Sequence, residues 1–287
     1  MNATYGIRMI VAYDGTAFAG WQCQPEQRTV QGTLQDAVGS MGGKVSVVRG
    51  ASRTDAGVHA LGQCVSFSTT RSIDPKGWKR GLNSRLPSDI SIVDATACDP
   101  TYDPRRDSTA KTYRYVLRVG ETADPLMRHV TWHIGPANAR RDRPGGRHEL
   151  NDWLDVDAMR RAANMLTGTH DYRAFQASND YRDQTTRTVD WVRIATSEAS
   201  HEASAVEIEV RGDSFLKNMV RILTGTLVDV GRGFLPVDHV PKLVSPGACR
   251  ADAGQTAPAR GLTLIQVHLG RIAQRLSQEQ HHNERMA

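Results

Sequence analysis

The first apolar stretch of the chain, residues 6–13 (Gly-Ile-Arg-Met-Ile-Val-Ala-Tyr), predicts a strand that stops at the turn pair Asp14-Gly15. The period then changes. Val30, Leu34 and Val38 fall on one helical face, with Thr29 as the capping residue, so residues 30–38 predict a helix. Residues 45–48 (Val-Ser-Val-Val) and 63–67 (Gln-Cys-Val-Ser-Phe) predict two further strands. A helix over 73–82 and a strand over 90–95 follow, separated by Asn83-Ser84-Arg85-Leu86-Pro87, where Pro87 marks the break. Strand–helix–strand–strand–helix–strand is the split βαβ, ferredoxin-like order.

A second unit with a similar order follows. Residues 111–119 alternate strongly and predict a strand, while Met159, Ala162, Ala163 and Leu166 place a helix over 156–166. Strands are expected at 188–194 and 206–211. Gly212-Asp213-Ser214 then opens a helix with Phe215, Met219, Ile222, Leu223 and Thr226 on one face, ending at Gly231. The last strand spans 262–267. The fold class expected is α+β: two ferredoxin-like halves with antiparallel or mixed sheets, helices on one face and the other face left open, a layout that RNA-recognition modules use. The halves are expected at 1–104 and 105–270, with a polar tail at 271–287. They share element order but no clear residue identity. Residues 137–152 break the pattern with a basic, glycine-bearing, apolar-poor run that predicts a surface loop.

Composition changes this picture only modestly. The 287 residues suffice for a sizeable core, and 39% are hydrophobic. Lys plus Arg number 36 against 31 Asp plus Glu, a net charge of +5, too small by itself to imply nucleic acid. The excess is concentrated, however. Arg105, Arg106, Lys111, Arg114 and Arg118 stand against the single acid Asp107, which suits either a phosphate backbone or a solvated strand face. Cys23, Cys64, Cys98 and Cys249 are scattered without metal-ligand spacing, so no metal site and no disulfide framework is expected. With no apolar leader and no long apolar run, the expectation is a cytoplasmic protein that does not enter a membrane.

The candidate chemistry lies between the second and third predicted strands, in Arg53-Thr54-Asp55-Ala56-Gly57-Val58-His59-Ala60. A carboxylate with its charge balanced and its orientation fixed can serve as nucleophile or general base. The same residues also suit a plain turn braced by Asp and Thr side chains.

This octapeptide resembles the signature of the tRNA pseudouridine synthase A family. The opening residues from Tyr13-Asp14-Gly15-Thr16 through Gly20-Trp21-Gln22 to Thr29-Val30-Gln31-Gly32 are similar to the start of that family. So are Gly168-Thr169-His170-Asp171-Tyr172, with Tyr172 where Phe is usual, and the closing Ala257-Pro258-Ala259-Arg260-Gly261-Leu262. The matches run in order from Tyr13 to Val267. Ser52 departs from the glycine that commonly precedes the arginine.

The resemblance implies an isomerase that turns uridine into pseudouridine at positions 38, 39 and 40 of the tRNA anticodon stem-loop, without cofactor, as a homodimer. It assigns the nucleophile to Asp55, base stacking and proton transfer to Tyr113, and an ion pair with Asp55 to Arg221. Arg53 is similar to the arginine that fills the space left by a flipped base. Arg114, Arg105 and Arg106 complete the expected RNA contacts. From the residues alone, Tyr115 faces the same side of its strand as Tyr113 and rivals it, and both also suit cross-strand packing. Two other functions stay open on the residues alone: a non-catalytic protein that grips structured RNA, and a carboxylate-based nucleoside hydrolase.

Overall fold

The computed structural model describes residues 4–138, 150–199 and 203–270. Of the loop expected over 137–152, residues 139–149 lie outside the described residues, as does the tail beyond 270, while residues 150–152 are helical rather than loop. In chain order the elements are β1 (Tyr5–Tyr13), α1 (Val30–Ser40), β2 (Arg49–Gly50), β3 (His59–Thr69), α2 (Pro75–Asn83), β4 (Ile90–Cys98) and α3 (Pro104–Asp107). Then come β5 (Ser108–Val119), β6 (Trp132–Ile134), α4 (Leu150–Trp153), α5 (Val156–Met165), β7 (Gly168–Asp171), β8 (Thr186–Glu198), β9 (Ser204–Gly212), α6 (Met219–Gly231), α7 (Val240–Leu243) and β10 (Leu262–Leu269). By packing, the described residues up to Lys111 together with those from Leu264 onward form one compact unit, and the described residues between Thr112 and Thr263 a second. This is an α+β architecture. The last strand, which element order assigns to the second half, lies largely in the first unit.

In the first unit the strands run β4-β1-β3-β10. β1 lies antiparallel to both neighbours, with Ile7 opposite Phe67, Met9 opposite Val65 and Val11 opposite Ile92. Ile7, Met9, Val11 and Tyr13 point to one face and are buried, which is why this strand is so legible as a pattern. α1 starts where Thr29 Oγ1 accepts from Gly32 N, and it buries Val30, Leu34 and Val38. α2 starts at Asp74, with Pro75 in the first turn where its missing N–H costs nothing. Trp78 of α2 meets Phe67 of β3 edge-on at 5.0 Å.

The expected strand over 45–48 does not form. Val45 makes an isolated bridge to Thr69, and β2 is only Arg49–Gly50, paired with Val65 and Ser66. Two glutamines of α1 take the backbone groups that a ladder would use. Gln35 accepts from Val48 N at 2.8 Å and donates to Ser46 O at 3.3 Å, and Gln31 donates to Val48 O at 2.8 Å.

In the second unit the order is β5-β9-β8-β7, with β6 parallel to β5 through the Leu117–Trp132 pair. β8 and β9 form a long antiparallel hairpin with Ile194 opposite Ile208. α5 is capped by Asp155, whose Oδ1 accepts from Ala158 N. The amide of the same residue donates to Gly231 O at the end of α6, so one residue fixes both helix ends. α6 begins at Met219, not at residue 214 as the apolar spacing suggests. Asn218 takes a left-handed conformation with φ of 60°, which breaks any helix upstream of it. Residues 214–217 are instead extended or turned, and Phe215 leaves the helix face.

Candidate active site

The Asp55 loop joins β2 to β3 and is held by its backbone. Thr54 is buried, its carbonyl accepts from Trp21 N at 3.0 Å, and its Oγ1 lies 2.8 Å from the Tyr13 hydroxyl. Gly57 N donates to Phe18 O and Val58 N to Asp55 O, closing the turn on both sides of the carboxylate. His59 Nδ1 accepts from Gly15 N at 3.1 Å. Gly20, at φ of +101°, passes so close that a Cβ there would sit 2.9 Å from Thr54 O. Only glycine meets both demands.

Ser52 also finds its reason. Its N–H donates to Gln63 Oε1 and its carbonyl accepts from Gln63 Nε2 at 2.7 Å, and its φ is not positive. The bend therefore needs no glycine at that position. Asp55 itself is half-buried and Arg53 is exposed. Cys64, on β3 just beyond the loop, is chemically silent, because burial pushes its thiol up to about 12 and keeps it protonated near neutrality.

In the second unit β5 carries both candidate tyrosines, and the structure separates them. Tyr115 is fully buried, donates its hydroxyl to Pro258 O at 2.7 Å and meets Trp132 edge-on. A Cβ on Gly261 would lie 2.5 Å from its ring. Burial raises its phenol well above the ordinary value, the nearby Arg221 and Arg260 charges opposing only in part. Tyr115 is thus a packed strut. Tyr113 is 6% exposed and presents its ring edge-to-face to Phe215 at 5.4 Å. Phe215 can make that contact because the stretch before α6 is not helical.

Arg221 lies in the first turn of α6. Its Nε donates to Ala257 O at 2.8 Å and its Nη1 to Asn218 Oδ1 at 3.1 Å, while its carbonyl accepts from Ala257 N. The left-handed Asn218 therefore does two jobs, ending the upstream chain and orienting the guanidinium. The approach to α6 is fixed in turn by Asp180, whose Oδ2 accepts from Lys217 N. Arg182 grips that carboxylate through two nitrogens and holds its pKa down at about 2.

The basic residues separate by environment. Arg105 and Arg106, on α3 of the first unit, are exposed. In the second unit Arg114 lies 3.3 Å from Glu207 and 3.0 Å from Glu209, and the buried Arg118 lies 3.4 Å from Asp124. Their charges are balanced within the unit. Asp55, Arg53, Arg105 and Arg106 thus belong to the first unit and Tyr113, Arg114 and Arg221 to the second. Sequence reasoning missed the parts played by Asn218 and Asp180. An αL residue and long-range carboxylate partners leave no periodic signal. Among the described residues no group of three His, Cys, Asp or Glu side chains is placed to hold a metal, and no helix is long and apolar enough to cross a membrane.

The family model described as tRNA pseudouridine synthase matches residues 9–105 and 162–268, which include the Asp55 loop, α6 and the closing segment. The chain is 39% identical over 262 residues to tRNA pseudouridine synthase A of Geobacter sp. (strain M21), covering 91% of this chain and 98% of that one. It is 40% identical to the protein of the same name from Pelobacter propionicus, again over 91% of this chain and 98% of that one. The relative from Shouchella clausii is 40% identical, with 91% and 92% covered. With similarity over 91% of the chain and in both units, the chain belongs to the tRNA pseudouridine synthase family and is an enzyme of the isomerase class.

Proposed function

We propose that this enzyme converts uridine to pseudouridine at positions 38, 39 and 40 of the tRNA anticodon stem-loop, with Asp55 as its nucleophile. The observation that carries the reading is the grip on Thr54, whose carbonyl and hydroxyl are both held by the segment from Tyr13 to Trp21. A turn with no chemical duty has no need of so many constraints around one half-buried carboxylate. The carboxylate adds to the ribose C1′ or the uracil C6, and the N1–C1′ bond breaks. The detached base turns and C5 bonds to C1′, the bond to the Asp55 carboxylate breaks with its electron pair returning to the carboxylate, the C5 hydrogen leaves as a proton and N1 gains one. Atoms and electrons balance without cofactor or oxidant.

Arg221 serves as the counter-charge that keeps the carboxylate ionised in a desolvated setting. Its guanidinium is already oriented by Ala257 O and Asn218, which favours this role. Tyr113 stacks on the target uracil and takes part in proton transfer, with Phe215 fixing its ring plane. Arg53 enters the space left by the flipped base, and the exposed Arg105 and Arg106 contact phosphates. Arg114 contributes by exchanging an acidic partner for RNA. A cytoplasmic homodimer fits the modest charge of +5, since two copies pool their cations along one tRNA.

The test uses tRNA transcripts tritiated at uridine C5, which lose tritium to water as pseudouridine forms. Release by the parent and its loss by about 10³-fold or more in Asp55→Asn, with tRNA binding retained, is the expected result. Tritium release undiminished in Asp55→Asn would sink the nucleophile assignment. Release from a transcript lacking uridine at 38–40 would sink the site assignment.

A further inference from the structure

Residues 250–257 form a strap laid directly on α6, and the contact is backbone to backbone. A Cβ on Gly225 would fall 1.8 Å from Gln255 O, and one on Gly254 would fall 2.7 Å from Thr226 Cα. Two glycines on opposite sides thus let the strap approach closer than any side chain allows. Three amides of the strap then donate to acceptors on three residues of the helix, two of them side-chain oxygens. Gly254 N donates to Thr226 Oγ1, Gln255 N to Asp229 Oδ2 and Ala257 N to Arg221 O. The side chain of Gln255 adds a bond to Asp229 Oδ1 at 2.8 Å.

From the other end, Arg250 folds over the same strap. Its Nη1 donates to Gly254 O at 2.9 Å and Ala253 O at 3.3 Å, and its Nη2 to Thr256 Oγ1 at 3.0 Å. The product of all these bonds is the position of one carbonyl, Ala257 O, which receives Arg221 Nε.

We infer that Arg250 and Asp229 are positioning residues for the isomerisation, acting through the strap to set the guanidinium plane of Arg221. Arg250 holds the strap's curvature and Asp229 pins its middle to the helix. Neither need touch RNA. This inference rests on the catalytic reading of Arg221, and it places the supporting contacts for that residue two turns further along its own helix, at Asp229, and on a separate segment of chain, at Arg250. A guanidinium turned out of plane loses bidentate geometry with a carboxylate, and misplacement by about 1 Å can cost about 10²-fold in rate.

The test is a double-mutant cycle read by single-turnover tritium release, with thermal unfolding measured on every variant. Arg250→Met lowers the saturating single-turnover rate by about tenfold to 10²-fold, with the concentration that gives half of that rate little changed. Arg221→Lys lowers the rate by itself, because an ammonium has no fork to hold. Introduced into Arg221→Lys, the Arg250→Met change costs nothing further in rate, although it lowers the melting temperature equally in both backgrounds. A merely structural Arg250 would slow the reaction by the same factor in both, and that result overturns the inference. Should Arg250→Met fail to fold, the isosteric Thr256→Val and Asp229→Asn replace it in the same cycle with the same two readings. An Arg221→Lys enzyme with parental rate overturns the catalytic reading of Arg221 itself, an outcome separable from failure of the strap.

Discussion

The Asp55 loop and the Arg250–Ala257 strap place their key groups by opposite means. In the loop the backbone is held and the carboxylate follows: Thr54, Gly57 and Val58 are bonded, and Asp55 is positioned by the peptides on either side. In the strap the side chain is held directly, since Arg221 Nε donates to a strap carbonyl. A short carboxylate side chain rotates about only two bonds, so a fixed Cα already confines its oxygens to a small region. A long guanidinium has four rotatable bonds, and its position is determined only if something grips its far end. The difference follows from the reach of the two side chains.

Loss of the carboxylate in Asp55→Asn is the largest effect expected, as given above. Next comes a matched pair of glycine changes that probes each means of support. Gly225→Ala puts a methyl 1.8 Å from Gln255 O, against backbone that cannot swing aside, and Gly20→Ala adds one 2.9 Å from Thr54 O at a φ of +101°. Each is expected to cost about 1–3 kcal/mol of stability, from overpacking in the first case and backbone strain in the second. Denaturant titration measures this. Gly225→Ala with an unshifted midpoint would show that the strap does not constrain the helix.

A pH titration addresses the approach to α6. The Asp180 carboxyl is held at about 2 when folded, chiefly by its hydrogen bonds from Arg182, below its ordinary unfolded value near ~3.9. Its contribution is therefore fully present above the unfolded value and fades as the pH falls toward about 2. The parent should lose stability over that acid window more steeply than Asp180→Asn. Parallel melting curves for the two would refute it. The smallest effect belongs to Tyr172, whose buried hydroxyl donates to Leu166 O at 2.7 Å. Tyr172→Phe should cost about 1 kcal/mol in unfolding free energy, leaving tritium release unchanged.

The two regions differ just as much in how they read from sequence. The Asp55 loop is contiguous, so eight adjacent residues carry it, and the strand before it, 6–13, shows its burial as a pattern. The strap was invisible because Arg221, Thr226 and Asp229 meet residues 254–257 only through folding, and glycines at 225 and 254 look like ordinary helix and loop glycines. The expected strand at 45–48 failed because propensity cannot register that Gln31 and Gln35, on a neighbouring helix, take its hydrogen bonds. The false start of α6 has a similar cause: periodic apolar residues extend back to Phe215, and only the φ of Asn218 stops the helix. A period of two puts Tyr113 and Tyr115 on one face of the strand and cannot tell their surroundings apart; only the fold brings Pro258 O and Gly261 against Tyr115.

The strap's three amides all end on acceptors supplied by α6, at Thr226, Asp229 and Arg221. Their exchange with solvent deuterium is therefore a clock for one event, the lifting of the strap. Because closing it encloses the chain between Thr226 and Gly254, lifting frees loop entropy and lies below global unfolding on the free-energy scale. Gly254, Gln255 and Ala257 should exchange together, sooner than the amides within α6. Each opening would release Arg221 Nε from Ala257 O, so the same signals report how much of the time the enzyme holds its arginine ready.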